Sequence, residues 1–137
     1  MPNVVVSAAI LDHQQRILCV RQNYGASYWA LPGGGLESGE SPTEGLEREI
    51  REETGYESRI DHLIGVYSAP WKDSLVLLFR AHVLDRGPWE PGEEISAVGY
   101  FACDDLPRPM NPRMRARIQD AVDGREGLVR IFPLVEE

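Results

Sequence analysis

A chain of 137 residues with 14 basic and 22 acidic side chains, a formal charge of −8 and 42% hydrophobic residues has the length of one domain, residues 1–137, able to build a core without disulfide or metal staples. The acidic balance argues against duplex-binding and anionic-membrane proteins, which replace counterions with surplus Lys and Arg, so no stable nucleic-acid complex and no membrane contact is expected. Any phosphate-bearing partner then needs a cation as mediator.

From the N-terminus, residues 4–11 are β-branched and apolar, residues 12–15 are polar, and Arg16-Ile17-Leu18-Cys19-Val20-Arg21 returns to apolar character. This pattern predicts a hairpin of two strands, and the unbroken apolar run of the first predicts burial on both faces of a sheet. No basic region precedes a long apolar run, and nowhere do eighteen apolar residues follow one another, so a cytoplasmic protein is expected. Tyr24-Gly25-Ala26-Ser27-Tyr28-Trp29-Ala30-Leu31-Pro32-Gly33-Gly34-Gly35 reads as loop.

Ser41-Pro42-Thr43-Glu44 combines an N-cap, a proline at the first helical position and a capping-box Glu, predicting a helix over residues 42–54. Gly55 suits the left-handed position beyond its end. Two strands are expected at residues 60–68 and 75–84, a Gly/Pro/Glu-rich loop at 87–94 and a strand at 98–102. A second helix starts at Asn111-Pro112 and ends before Gly124, with Met114, Ile118, Ala121 and Val122 on one face. The tail, residues 128–135, is apolar enough to pack. Cys19 and Cys103 read as free thiols in strand-like stretches.

On the first helix, Leu46, Ile50, Thr43 and Thr54 share the face expected to meet a sheet, and Glu49, Glu52 and Glu53 fill the adjoining arc around Gly45. Like charges at these spacings repel by roughly 0.2–0.5 kcal/mol per pair. Glu44 with Arg48, and Glu47 with Arg51, form favourable i, i+4 pairs, but no such pairing accounts for the other three carboxylates. Clustered hard oxygens beside a Gly-rich turn suit Mg²⁺ or Mn²⁺, and Gly45 then reads as an open notch. Eight acidic and two basic residues fall within residues 37–57, which leaves the rest of the chain nearly neutral.

The order Gly34, five residues, Glu40, seven residues, then Arg48-Glu49-Ile50-Arg51-Glu52-Glu53-Thr54-Gly55-Tyr56 resembles the signature box of the Nudix hydrolase family, with every defining position filled. Trp29-Ala30-Leu31-Pro32-Gly33-Gly34 is similar to the aromatic-Pro-Gly-Gly segment ahead of that box. Glu93-Glu94-Ile95 resembles a later acidic element that supplies a further ligand or base. The resemblance implies an α/β fold, a mixed curved sheet sandwiched between helices. It implies hydrolysis of a phosphoanhydride in a nucleotide derivative, with Mg²⁺ or Mn²⁺ bound by Glu49, Glu52, Glu53 and the Gly34 carbonyl, and with Glu40 either securing the loop or reaching the metal through water. Arg48 would orient the carboxylates, and Glu49 or Glu52, then Glu94, would serve as base. Arg21, Tyr28, Gly33, Gly34 and Gly35 form the expected substrate-binding set.

The departures and open choices are equally specific. Gly45 stands where many members carry Ala, and no secondary motif ties the chain to one substrate. Tyr24, Tyr28, Trp71 and Trp89 are stacking candidates, although packing or exposure is the commoner fate of such side chains. Trp29 reads as a wedge against the Gly loop. Arg21 holds a phosphate or a surface ion pair with equal plausibility. Arg113, Arg115 and Arg117 do not share one helical face and read as solvated charge, and His13, His62 and His82 lack metal-ligand spacing. The favoured substrate is a nucleoside diphosphate linked to another moiety, of ADP-ribose or nucleotide-sugar type. Alternatives are a pyrophosphatase of modified nucleoside triphosphates and a non-hydrolytic nucleotide sensor. A homodimer through the tail or the first hairpin is compatible with the sequence.

Overall fold

The structure, a computed structural model, describes residues 2–134; Val135 of the expected apolar tail lies outside them. Strands β1 (Asn3–Ala9), β2 (Ile17–Gln22), β3 (Trp29–Ala30) and β4 (Gly33–Gly35) precede helix α1 (Pro42–Thr54). Then come β5 (Tyr56–Ala69), a 3-10 turn (Pro70–Lys72), β6 (Ser74–Arg86), β7 (Ile95–Phe101), α2 (Pro112–Val122) and β8 (Leu128–Ile131). The result is the expected α/β sandwich, with its strands divided between a five-stranded sheet ordered β4-β1-β6-β5-β8 and a three-stranded sheet ordered β3-β2-β7. Both parallel and antiparallel pairings occur in the larger sheet, β1 with β6 and β5 with β8 being parallel. Among the described residues no helix is long and apolar enough to cross a membrane.

The expected first hairpin is corrected. A single antiparallel bridge, Leu11 with Ile17, marks the turn, after which β1 pairs with β4 and β6 while β2 pairs with β3 and β7. Both strands are rich in β-branched residues that satisfy either partner, so the local pattern does not decide which sheet each joins. Part of the expected glycine loop is also strand: Ser7 faces Gly33 and Val6 faces Gly34 in the β1–β4 ladder. An added Cβ at Gly33 would run into the Val6 carbonyl and approach Ser7 Cα to 2.8 Å.

α1 follows its sequence signals. Ser41 Oγ accepts from the Glu44 N–H, and Gly55 adopts φ 77° while its N–H donates to the Arg51 carbonyl. Leu46, Ile50 and Thr54 are buried, whereas Thr43 is exposed, a correction at the first turn, where the helix has not yet reached the sheet. The apolar core has two parts. One joins Val6, Ala8, Ile10, Leu18, Leu46, Ile50 and Ala81 beneath α1; the other joins Ala9, Ile17, Cys19, Ile64, Tyr67, Leu78, Ile118 and Ala121 beneath α2. Successive residues of β1 thus feed opposite clusters, which is the two-faced burial its apolar run requires. Val122, placed with the apolar face of α2 by its spacing, is exposed. Cys19 is buried and Cys103 half-buried, both free.

The tail does pack: β8 runs parallel to β5, with Gly65 opposite Leu128, and the Phe132 ring stacks on Tyr67 at 6.0 Å between centroids.

Candidate active site

Helix α1 lies against β4, so the arc bearing Glu49 and Glu53 meets the glycines of residues 33–35. Glu53 is 8% exposed and accepts a hydrogen bond from the Gly33 N–H at 3.0 Å. Glu49 is 9% exposed, and a Cβ at Gly34 would stand 2.7 Å from its Oε1. The missing side chain at Gly34 thus gives the Glu49 carboxylate room to approach backbone. Burial pushes the Glu53 carboxyl up to about 9 against the opposing Gly33 hydrogen bond, with Glu49 and Glu94 adding to the rise. Burial also raises Glu49, opposed chiefly by Arg48.

Arg48 gathers the carboxylates. Its Nε donates to Glu40 Oε2 at 2.6 Å and its Nη2 to Glu40 Oε1 at 2.9 Å, a two-pronged clasp of the kind only a guanidinium makes. Nη1 lies 3.1 Å from both Glu49 and Glu52, and Nη2 reaches the Gly35 carbonyl at 3.4 Å. The clasp holds Glu40 at about 2, and Glu40 also accepts the Glu37 N–H at 2.8 Å, which secures the loop before α1. The expected open notch at Gly45 is filled: a Cβ there would run into Leu36 Cδ2 and stand 3.0 Å from Glu40 Oε1. Gly45 makes space for that loop rather than for a ligand.

A cavity of about 360 Å³ is lined by Glu52, Glu53, Trp89, Glu90, Gly92, Glu93, Glu94 and Ile95. It joins the end of α1 to the acidic segment before β7, and so brings Glu94 to the box carboxylates across about forty residues of chain. Tyr24 also belongs to this region, its phenol raised by burial and by Glu53, Glu94 and Glu49. Its only sequence signal was its place among several aromatic stacking candidates.

Two members of the expected substrate-binding set lie elsewhere. Arg21 lines neither this cavity nor the one beside α2; its Nε donates to the Ser27 carbonyl at 3.3 Å and its guanidinium sits 6.0 Å from the Trp29 ring. Tyr28 lines the cavity beside α2. Trp29 packs edge-on against Phe101, with centroids 4.9 Å apart. Arg113 and Arg117, read as solvated charge, also line the cavity beside α2. They are one helical turn apart, and treating Arg115 together with them hid their shared face.

Among the described residues, no three acidic, His or Cys side chains converge closely enough to hold a cation as they stand. The reason is visible: the Arg48 guanidinium occupies the ground between Glu49 and Glu52, and Glu53 turns to the Gly33 N–H. The donor set still fits a hard divalent ion. It consists of carboxylate oxygens, two of its members are buried, and Glu53 forms no ion pair among the described residues. Oxygen-rich sites of this composition are what Mg²⁺ and Mn²⁺ select.

Gly33 and Gly34 should separate under substitution. Gly33→Ala presses on the β1 backbone and is expected to cost about 1–3 kcal/mol of stability, read from urea unfolding. Gly34→Ala presses only on the carboxylate end of the Glu49 side chain and on no backbone atom, so activity should fall about tenfold or more while the unfolding midpoint holds. Equal effects of the two on stability would refute this division of labour.

A family model described as a NUDIX domain matches residues 1–121. A MutT-like protein of Streptomyces ambofaciens is 33% identical over 128 residues, covering 93% of this chain and 82% of that protein. A protein of Bacillus subtilis (strain 168) named putative 8-oxo-dGTP diphosphatase is 32% identical over 117 residues, covering 85% of this chain and 78% of its own. The crystal structure of a UDP-X diphosphatase superposes with a TM-score of 0.81 at 31% identity, covering 94% of this chain and 67% of that one.

Proposed function

The chain belongs to the Nudix hydrolase family, and from that premise we propose that it hydrolyses the phosphoanhydride of a nucleoside diphosphate linked to another moiety, of ADP-ribose or nucleotide-sugar type, using Mg²⁺ or Mn²⁺. That it is a pyrophosphohydrolase, acting on acid anhydrides of small nucleotide derivatives, follows from the family. The observation that carries the site assignment is the pair of buried carboxylates, Glu49 and Glu53, held against Gly33 and Gly34 at the edge of a cavity that Glu94 also lines.

In this reading Glu49, Glu52, Glu53 and the Gly34 carbonyl hold the divalent ion, and Glu40 secures the loop through Arg48. When bound, the ion supplies positive charge that offsets the diphosphate and acidifies water. Arg48 keeps Glu49 and Glu52 in position and must yield part of its hold on them as the ion binds. Glu49 or Glu52, with Glu94 next, takes the proton from the attacking water, and the hydrogen bond from Gly33 fixes Glu53 so that it does not swing toward solvent. Gly35, beside which no protein atom lies within 4 Å of where a Cβ would stand, leaves space for the diphosphate to approach backbone.

The similarity to a UDP-X diphosphatase supports a linked diphosphate, while the similarity to a putative 8-oxo-dGTP diphosphatase supports a second reading, a triphosphate pyrophosphatase. Product analysis separates them. Incubation with ADP-ribose, UDP-glucose and 8-oxo-dGTP under Mg²⁺ or Mn²⁺ is expected to give nucleoside monophosphate and sugar phosphate from the first two. Release of pyrophosphate from the triphosphate, with both linked diphosphates intact, would select the second reading.

A further inference from the structure

Five carboxylates wall the cavity at the end of α1, Glu52 and Glu53 from the helix and Glu90, Glu93 and Glu94 from the segment before β7. Among the described residues, Glu90, Glu93 and Glu94 form no ion pair. Like charges that face one another drive their supports apart, so residues 87–94 need other bonds to stay beside α1. Pro88 and Pro91 carry no N–H to donate, which leaves the segment dependent on its two ends.

The first end is clasped by α1 itself. The Gly87 N–H donates to the Gly55 carbonyl at 2.8 Å, and a Cβ on Gly55, the α1 C-cap, would stand 2.7 Å from the Pro88 carbonyl oxygen and 2.9 Å from Trp89 Cβ. The second end is clasped by one residue from the loop after β2. The Asn23 backbone N–H donates to the Glu94 carbonyl at 2.8 Å, one step beyond the last β2–β7 pair, Gln22 with Ile95. Asn23 Nδ2 donates to the Gly92 carbonyl at 3.1 Å, and the Gly92 N–H donates to the Ile95 carbonyl at 2.9 Å. Glu93 and Glu94 thus ride on a tight turn that Asn23 grips from outside. The residue type is matched to the task, because an amide donates without carrying charge, whereas Asp could only accept and would add to the repulsion.

We propose that Asn23 is a positioning residue for the hydrolysis: through the Gly92 and Glu94 carbonyls it holds Glu94 against the carboxylates of α1. The proposal rests on the reading in which Glu94 serves the reaction as a base or further ligand. The two anchors of this site then work differently. Arg48 holds Glu49 and Glu52 by their carboxylate oxygens, the atoms a cation needs, whereas Asn23 grips backbone and leaves the Glu94 carboxylate to the chemistry.

Asn23→Ala tests this with Mg²⁺ or Mn²⁺ on whichever of ADP-ribose, UDP-glucose and 8-oxo-dGTP the wild type hydrolyses fastest. Its kcat should fall about tenfold, the scale of a lost supporting hydrogen bond, with KM nearly unchanged. Asn23 is exposed, so the urea midpoint should hold; a merely structural role would lower the midpoint and spare kcat. Asn23→Asp, which keeps the shape and loses the donor, should fall at least as far. Glu94→Gln should lower kcat about a hundredfold, and adding Asn23→Ala to it should change little, because Asn23 acts through Glu94. Full kcat in Asn23→Ala beside a slow Glu94→Gln, or independent losses in the double variant, would overturn the proposal alone. Full kcat in Glu94→Gln would remove Glu94 from the chemistry and the proposal with it. A Glu-specific protease reads the clasp without any substrate: cleavage after Glu93 or Glu94, followed by mass spectrometry, should be at least about fivefold faster in Asn23→Ala than in wild type, and equal rates would overturn the holding role itself.

Discussion

Glu52→Gln is expected to lower turnover about a thousandfold, because a lost ligand charge removes several kcal/mol of stabilisation from the phosphoryl-transfer step and each 1.36 kcal/mol is about tenfold in rate. The fold should not notice. The Glu52 side chain is 54% exposed and contacts Arg48 at 3.1 Å, a pairing that contributes little in water. Removing its charge also relieves repulsion with Glu49, on which it acts unfavourably. The substitution is nearly isosteric, so a change in activity reports charge rather than shape. Steady-state assays alongside urea unfolding check both halves of the expectation. Full Mg²⁺-dependent product release by the variant would remove Glu52 from the site, and a large drop in unfolding midpoint would make it a structural residue.

What was legible in the sequence divides by range of interaction. α1 was readable to the residue, because Ser41, Pro42, Glu44 and Gly55 each act within one turn of their own backbone. The box carboxylates were readable for a related reason, since a helix fixes their mutual placement once it forms. Strand ends were less so: β5 runs Tyr56–Ala69 and β6 runs Ser74–Arg86, both beyond their apolar cores. Their extensions carry polar residues that no apolar pattern marks as strand, Glu57 opposite Asp85 for example. The sheet assignment of β1 was not readable. Its partner β6 begins some seventy residues later, with Asn3 opposite Ser74, and no local pattern encodes that pairing. Gly45 shows the same limit on a smaller scale, since what fills its notch is Leu36, brought there by the Arg48–Glu40 clasp. The cavity beside α2 was hidden because its cations, Lys72, Arg113 and Arg117, come from two segments, of which Lys72 carried no motif.

The largest stability effect is expected from Asp120→Ala, at about 3 kcal/mol. Asp120 is 3% exposed; its Oδ2 accepts from the Tyr67 hydroxyl at 2.9 Å and from Arg130 Nε at 2.6 Å, while Oδ1 accepts from Arg130 Nη2 at 2.6 Å. One carboxylate thereby ties α2 to β5 and β8. Its removal strands the hydroxyl of Tyr67, itself 1% exposed, where water cannot replace the acceptor, and it takes the anion from Arg130, whose 39% exposed side chain water can partly satisfy. The sign of the pH dependence follows from the same contacts. Arg130, and then Tyr67, hold the Asp120 carboxyl below its ordinary value, so its contribution is complete above the unfolded-state value of about 3.9 and is lost as pH falls through the lower folded value. The wild type should therefore lose stability faster than Asp120→Asn as pH is taken below about 4, whereas at neutral pH the variant is the weaker of the two. Tyr67→Phe distinguishes this network from simple packing, since it removes the donor while keeping the ring. Its cost should largely vanish in the Asp120→Ala background, where the hydroxyl already lacks an acceptor. Additive costs in that double variant would show that the two residues act separately.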